Sequence, residues 1–383
     1  MSDLRTLASQ FVAEGEVAAV EPLGKGNINS TFLVTVDLVT AEGKSQSRFV
    51  LQRINAQVFR RPEQVIQNMV VLGEHLRNRE KIQTDGRSPH WQTPQIIPTT
   101  DGNHFWQDEA RDYWRAISFI ENSQVLETIE THTHAREVGY GLAMFHRLIS
   151  NLPVENLADT IEGFHITPTY LTHYQTVLKE YQTGHHLAVH SNNHLIADPK
   201  TIRYCMEFVE ARRQWASVLE RAKAEGHLQL RPIHGDPKVN NIMLNQDGQA
   251  VSLIDLDTLK PGLVHYDIGD CLRSSCNRLG EETEDWKQVT FDTSLAKAML
   301  EGYFSLAHDF LTEYDYLYIY DAIRLIAFEL GLRFFTDYLV GNVYFKVEHP
   351  THNLMRALVQ FKLTESIETQ AEEIVGIIEA LRQ

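Results

Sequence analysis

Between positions 234 and 255 of this 383-residue chain, HGDPKVNN and then VSLIDLDT set Asp236 five residues before Asn241 and bring a second aspartate, Asp255, to the end of a β-branched run. Phosphoryl transfer needs such a set. One carboxylate orients the attacking hydroxyl and accepts its proton, and a carboxamide plus a second carboxylate hold Mg²⁺ against nucleotide phosphates. Taken singly, HGD is a turn with an Asx-type hydrogen bond and IDLD an acidic strand end. Their joint order and spacing favour the chemical reading.

A second group lies upstream. LGKGNINS at 23 to 30 is a glycine-rich turn between two strand-like runs. Backbone amides at Gly24, Gly26, Asn27 and Ile28 would suit phosphates there. A lone G-x-G is most often a plain connector. Its weight comes from the following strand, VLQR, which ends in Arg53. A guanidinium would serve phosphate as a bidentate fork, the alternative being a surface strand cation.

Other polar residues have simpler readings. His234 props the HGD loop by hydrogen bonds, and Asp267 and Asp270, whose alternative is a second metal site, read more simply as a helix cap and as the partner of Arg273 three residues on. Glu329, Arg333 and Asp337 recur four apart on one helix face, which offers an internal salt-bridge ladder. The 18 histidines, THTH at 131 to 134 among them, read as surface or core residues.

These groups must be positioned by the elements around them. The first 120 residues read as a short amphipathic helix, a three-strand antiparallel meander with runs at 17 to 23, 32 to 38 and 48 to 54, a helix from Pro62, and further strands at 95 to 99, 104 to 107 and 113 to 120. Beyond Glu121 helical periodicity dominates, at 133 to 150, 167 to 183, 199 to 225, 292 to 308, 315 to 340 and 366 to 382, broken by a strand island at 228 to 259. The expected fold is α+β and two-lobed: a β-rich lobe over 1–120, a mostly helical lobe over 121–383, and a ligand cleft between them.

Composition excludes several classes of partner. With 35 Lys+Arg against 51 Asp+Glu the net charge is −16, so nucleic acid and anionic membrane surfaces are repelled. Three scattered cysteines fit a reducing, cytoplasmic setting. The start, MSDLRTLASQ, lacks the pattern of a signal peptide. The most apolar long stretch, 316 to 332, carries Asp321, Arg324 and Glu329, too many charges for a lipid-facing helix. A monomer or weak homo-oligomer is expected.

The chain resembles the aminoglycoside and choline kinase group of phosphotransferases, and within it the N-acetylhexosamine 1-kinase-like sugar kinases. The likeness runs through GKGNINSTFLV, FVLQRINAQVF, YWRAISFIEN, GFHITP, HGDPKVNNIML, LIDLDTLKPGLVHYDIGDCLR and RFFTDYLVGNVYFKV. It implies a protein-kinase-like fold, ATP and Mg²⁺ as cofactors, and transfer to a small-molecule hydroxyl, foremost the anomeric hydroxyl of an N-acetylhexosamine. The alternatives are choline, ethanolamine, aminoglycosides or homoserine as acceptor, or a catalytically silent binding protein. By position the resemblance makes Asp236 the catalytic aspartate, Asn241 and Asp255 metal ligands, and Phe119 with Ile120 part of an adenine-contacting hinge. Thr258, Arg333 and Tyr344 fall around the sugar. Arg53 stands where the group usually has lysine, and Glu63, Asn68 and Glu74 are its possible partners on the next helix.

Overall fold

The computed structural model describes residues 3–24, 28–40, 43–79, 91–183 and 198–382. Helix α1, Leu4–Ala8, leads into strands β1, Glu16–Pro22, β2, Ser30–Thr40, and β3, Gly43–Arg53. Helix α2, Pro62–Arg79, and strands β4, Ile96–Ile97, β5, Trp106–Gln107, and β6, Tyr113–Ser118, complete this part. The strands form one antiparallel sheet in the order β1-β2-β3-β6-β4, with β5 also on β6.

Strand alternation sorts side chains between the two faces of this sheet. Val34, Val36, Phe49, Leu51, Trp114 and Ala116 pack with Leu7 and Phe11 of the α1 region. The other face turns to α2. Pro62 suits a first helical turn by its fixed φ, and Val65, Ile66, Met69 and Leu72 form the buried stripe of the helix.

The remainder begins with β7, Ser123–Val125, then α3, His132–Ile149, α4, Thr167–Gln182, α5, Pro199–Arg212, and α6, Val218–Ala224. Four short strands follow: β8, Arg231–Ile233, β9, Ile242–Asn245, β10, Ala250–Leu253, and β11, Lys260–Gly262. They pair as β10-β9-β7 and β11-β8. Helices α7, Val264–Ser275, α8, Thr293–Ala307, α9, Glu313–Leu317, α10, Ile319–Leu339, α11, His352–Thr369, and α12, Ala371–Leu381, build the rest. Helix α10 is buried on nearly every side, from Ile319 to Leu339, among α4, α7 and α11. Helices α3 and α8 approach closely because each is a glycine at the crossing: a Cβ on Gly139 would stand 1.9 Å from the Met299 carbonyl oxygen, and one on Gly302 1.9 Å from that of Arg136.

The β-rich first part and helical second part match the expected class. Three expectations need correction. The 199 to 225 and 315 to 340 runs each break into two helices. The 366 to 382 run holds the end of α11 and all of α12, and α11 itself starts back at His352, because a helix buried on several faces carries no sharp periodic stripe. β7, with only three residues, was hidden at the start of the helical part. Among the described residues no helix is long and apolar enough to cross a membrane.

Candidate active site

β8 ends at Ile233 and the chain turns through His234, Gly235 and Asp236. Gly235 has φ +88, and a Cβ there would stand 2.6 Å from the Thr258 carbonyl oxygen, so the turn requires glycine. The His234 and Gly235 N–H groups donate to the Asp267 carboxylate at 2.7 and 2.8 Å, and His146 Nε2 lies 2.9 Å from the same group. Asp267 is fully buried, so these charge-assisted bonds hold the loop firmly. His234 Nε2 lies 2.8 Å from the Ile254 carbonyl oxygen and its Nδ1 3.2 Å from the Asp236 N–H. One nitrogen donates and the other accepts, which is a neutral imidazole. Burial lowers its pKa against the pull of Asp267, in keeping with that tautomer and with the propping role read from sequence.

Asp236 sits part-exposed at the loop tip, with Lys238 Nζ 2.9 Å from Oδ2. That carboxylate pushes the lysine pKa up, so the ammonium is secure. Asn241 Nδ2 donates to the Asp236 carbonyl at 2.8 Å, and the Ile254 N–H donates to the Asn241 carbonyl at 2.8 Å. The asparagine side chain thereby keeps its oxygen as the donor atom for a cation, and its backbone ties the loop to the end of β10. Asp255 follows with φ 63 and ψ 58, a left-handed conformation that non-glycine residues adopt rarely and mostly at functional sites. Asp255 is exposed to solvent, yet the protein packed around it, and then Asp257 and Asp236, push its carboxyl pKa above the ordinary carboxylate range. Such crowding of like charges is what a bound cation relieves. Among the described residues no three His, Cys, Asp or Glu side chains close into a metal cage. Asn241 with Asp255 fits the other mode, in which Mg²⁺ takes few protein ligands and the rest from phosphates and water.

The sheet closes over this floor through Asp257. Arg115 of β6 and Asn29, at the end of the glycine-rich turn, both bond its carboxylate, and Arg115 also bonds Gln52 Oε1 at 2.7 and 3.0 Å. Asn29 Oδ1 accepts the Asn55 N–H at 2.9 Å, and the Thr160 hydroxyl donates to the Asp257 carbonyl at 2.9 Å. Gly24, with φ +71, and Ile28 are exposed at the turn. Gly26 and Asn27 lie outside the described residues. Phe119 and Ile120 follow β6 at the junction of the two parts, Phe119 under the Arg48 guanidinium at 4.6 Å and Ile120 buried.

Arg53 does not join the cluster. It shares strand parity with Phe49 and Leu51, on the α1 side, whereas Gln52 meets Arg115 on the opposite side. Its guanidinium instead bonds Asp112 at 3.1 Å and the Ser30 hydroxyl at 3.3 Å. None of Glu63, Asn68 and Glu74 pairs with it: Asn68 is buried on the carbonyls of Leu259 and Ala158.

On the far side of Asp236, α10 presents Arg333. Its guanidinium lies over the rings of Phe164, Tyr170, Tyr344 and Phe345, at 5.0 to 5.9 Å. The expected ladder along α10 is absent. Glu329 is taken by His165 and Thr167, and Asp337 accepts the N–H groups of Val343, Tyr344 and Phe345 at 2.8 to 3.0 Å, holding the loop that carries Tyr344. Tyr344 is 57% exposed, so one side of the ring is open. Thr258 is buried and its hydroxyl donates to the His234 carbonyl at 2.8 Å. Asp270 pairs with Arg273 as expected.

Sequence reasoning assigned no role to Lys238, Arg115 or Asn29. Lys238 was in view, two residues after Asp236. A charged residue inside the apolar run YWRAIS marks Arg115 as one that needs a buried partner. Asn29 carried no such signal.

Known proteins show the same organisation. The sequence model of the phosphotransferase enzyme family matches residues 19–313. A microcompartment-associated aminopropanol kinase superposes with a TM-score of 0.56 at 15% identity, over 97% of this chain and 99% of that one. An aminoglycoside phosphotransferase from Alicyclobacillus acidocaldarius gives 0.54 at 15% identity, over 99% and 95%. Choline kinase from Cryptosporidium parvum gives 0.51 at 15%, over 94% and 92%. At these identities the likeness is one of fold.

Proposed function

This chain belongs to the phosphotransferase enzyme family and is a small-molecule kinase acting on a hydroxyl; from that premise we propose that it transfers the γ-phosphoryl group of ATP to the anomeric hydroxyl of an N-acetylhexosamine or related sugar. Asp236 orients the acceptor hydroxyl and takes its proton. Lys238, 2.9 Å away, stabilises charge gathering between base and phosphoryl group. Asn241 and Asp255 would hold Mg²⁺, which supplies charge neutralisation for the β- and γ-phosphates. Gly24 and Ile28, on either side of the glycine-rich turn, border the phosphates, and Phe119 with Ile120 borders the adenine.

The observation that carries the acceptor reading is Arg333. Its guanidinium lies among four aromatic rings, within electrostatic reach of Glu329 and Asp236, and among the described residues no carboxylate is in contact with it. A fixed cation with no carboxylate in contact with it disfavours choline or a polycationic aminoglycoside. It suits a neutral polyol, which takes its N–H donors and packs a ring face on Tyr344. Thr258 acts here through the loop that it props.

A panel of free hexosamines, hexoses, choline, ethanolamine, homoserine and aminoglycosides, assayed for ADP release with ATP and Mg²⁺, tests the reading. An N-acetylhexosamine should turn over with loss of its reducing end. Turnover of a cationic acceptor alone, or a sugar phosphate that still reduces, sinks it.

A further inference from the structure

The segment GFHITP, 163 to 168, has a role beyond the assignments above. His165 is 4% exposed and has φ 66, a left-handed backbone at a non-glycine residue. Such conformations persist where the surroundings impose them. Its Nδ1 lies 3.0 Å from a carboxylate oxygen of Glu329 on α10, and its Nε2 lies 2.8 Å from the carbonyl oxygen of Gly235, the residue before Asp236. A carboxylate and a carbonyl can only accept. With Glu329 ionised, a ring with both nitrogens on acceptors carries a proton on each, which makes His165 an imidazolium. His234 contrasts with it, one of its nitrogens facing a donor.

We propose that His165 is a positioning residue whose imidazolium form ties the Arg333 helix to the loop of the catalytic aspartate, so that turnover falls when the ring gives up a proton. This rests on the roles proposed for Asp236 and Arg333. Glu329 stands one helical turn before Arg333 and is held on its other oxygen by the Thr167 hydroxyl at 2.6 Å. The acceptor pocket and the base are thus joined through three side chains and one carbonyl. A neutral ring keeps one N–H and must release either Glu329 or Gly235.

The groups facing the ring are Glu329 from α10, Asp270 and the stacked Tyr266 ring from α7, Tyr170 from α4, and the Gly235 carbonyl from the loop. Arg333 and Asp236 are the next charges on α10 and the loop, and Arg273 is held by Asp270. Burial by itself lowers the imidazole pKa. The Glu329 bond and charge, with Asp270 and the Gly235 carbonyl, outweigh that and hold it above the ordinary histidine value. The sign follows: the linkage is complete below the ordinary histidine pKa and is lost as pH rises through the raised one.

The test compares wild type, His165→Gln and Glu329→Gln across pH, reading ADP release with whichever acceptor is turned over, or with water as acceptor if none is, so that a wrong acceptor leaves the test intact. Wild type should show an alkaline limb in kcat. Glu329→Gln should move that limb to lower pH, and His165→Gln should remove it, with kcat down about tenfold, acceptor KM raised and ATP KM within about twofold. Imidazole ¹⁵N spectra of the wild type give a readout independent of activity: the signal missing from His165→Gln should be that of an imidazolium at pH 7. A neutral ring at pH 7, or pH profiles of the same shape in wild type and His165→Gln, overturns the proposal.

Discussion

Lys238 Nζ lies 2.9 Å from Oδ2 of Asp236, so the proposed base carries its own counterion. The pair sets a cation beside the carboxylate proposed to take the acceptor proton.

Asp236→Asn keeps the shape and removes the base. It should cut kcat by about a hundredfold or more while leaving nucleotide affinity close to wild type. Near-normal turnover with an accepted substrate would remove Asp236 from the proton-transfer role. The expected reading is steady-state kinetics beside an ATP titration.

Asp255 and Asp257 are separated by one residue and should behave oppositely. Among the described residues no cation is in contact with Asp255, and like charge crowds it, so Asp255→Asn should abolish Mg²⁺-dependent turnover without lowering the thermal midpoint. Asp257 is buried against Arg115, and breaking a buried pair costs about 3–5 kcal/mol. Asp257→Asn should therefore lower the urea midpoint markedly. Equal stability losses for the two variants would show that the assignment has them reversed.

Arg53 and Arg115 divide in the same way. With Arg53 bound to exposed Asp112, Arg53→Ala should change ATP KM by less than about twofold. Arg115→Gln should destabilise the fold and weaken nucleotide binding together, since it frees both Asp257 and Gln52. A large ATP KM effect at Arg53 with unchanged stability would restore the phosphate role that strand position suggested.

Arg333→Ala and Tyr344→Ala should raise the acceptor KM about tenfold or more and the ATP KM little, because both residues belong to the proposed acceptor site. Initial rates with each substrate varied in turn decide it. Equal effects on both KM values would place the pair outside the acceptor pocket.

Much of the fold and part of the site were legible because they are local. Alternation in Phe32 to Leu38 and the 3.6-residue periodicity of the helix from Pro62 express burial on one face, and the chain carries that pattern whatever its partners. HGDPKVNN and IDLDT likewise hold Asp236, Asn241 and Asp255 within one short hairpin, so their convergence needs little beyond the loop and β9–β10.

What the tertiary structure decided is which residues meet from far apart. Asn29 reaches Asp257 across 228 positions, Arg115 reaches it across 142, and His165 joins Glu329 across 164. None of these pairs has a periodic signature: the first two depend on how the sheet lies over the helical part, and the third on how the segment before α4 packs against α10. Arg53 shows the same limit within a single strand. Its neighbour Gln52 and Arg53 itself are both polar, so the sequence cannot say which of them faces the cleft. Packing of Leu51 against the α1 side settles the strand's parity, because burying the apolar side chains is worth more than any placement of one exposed guanidinium.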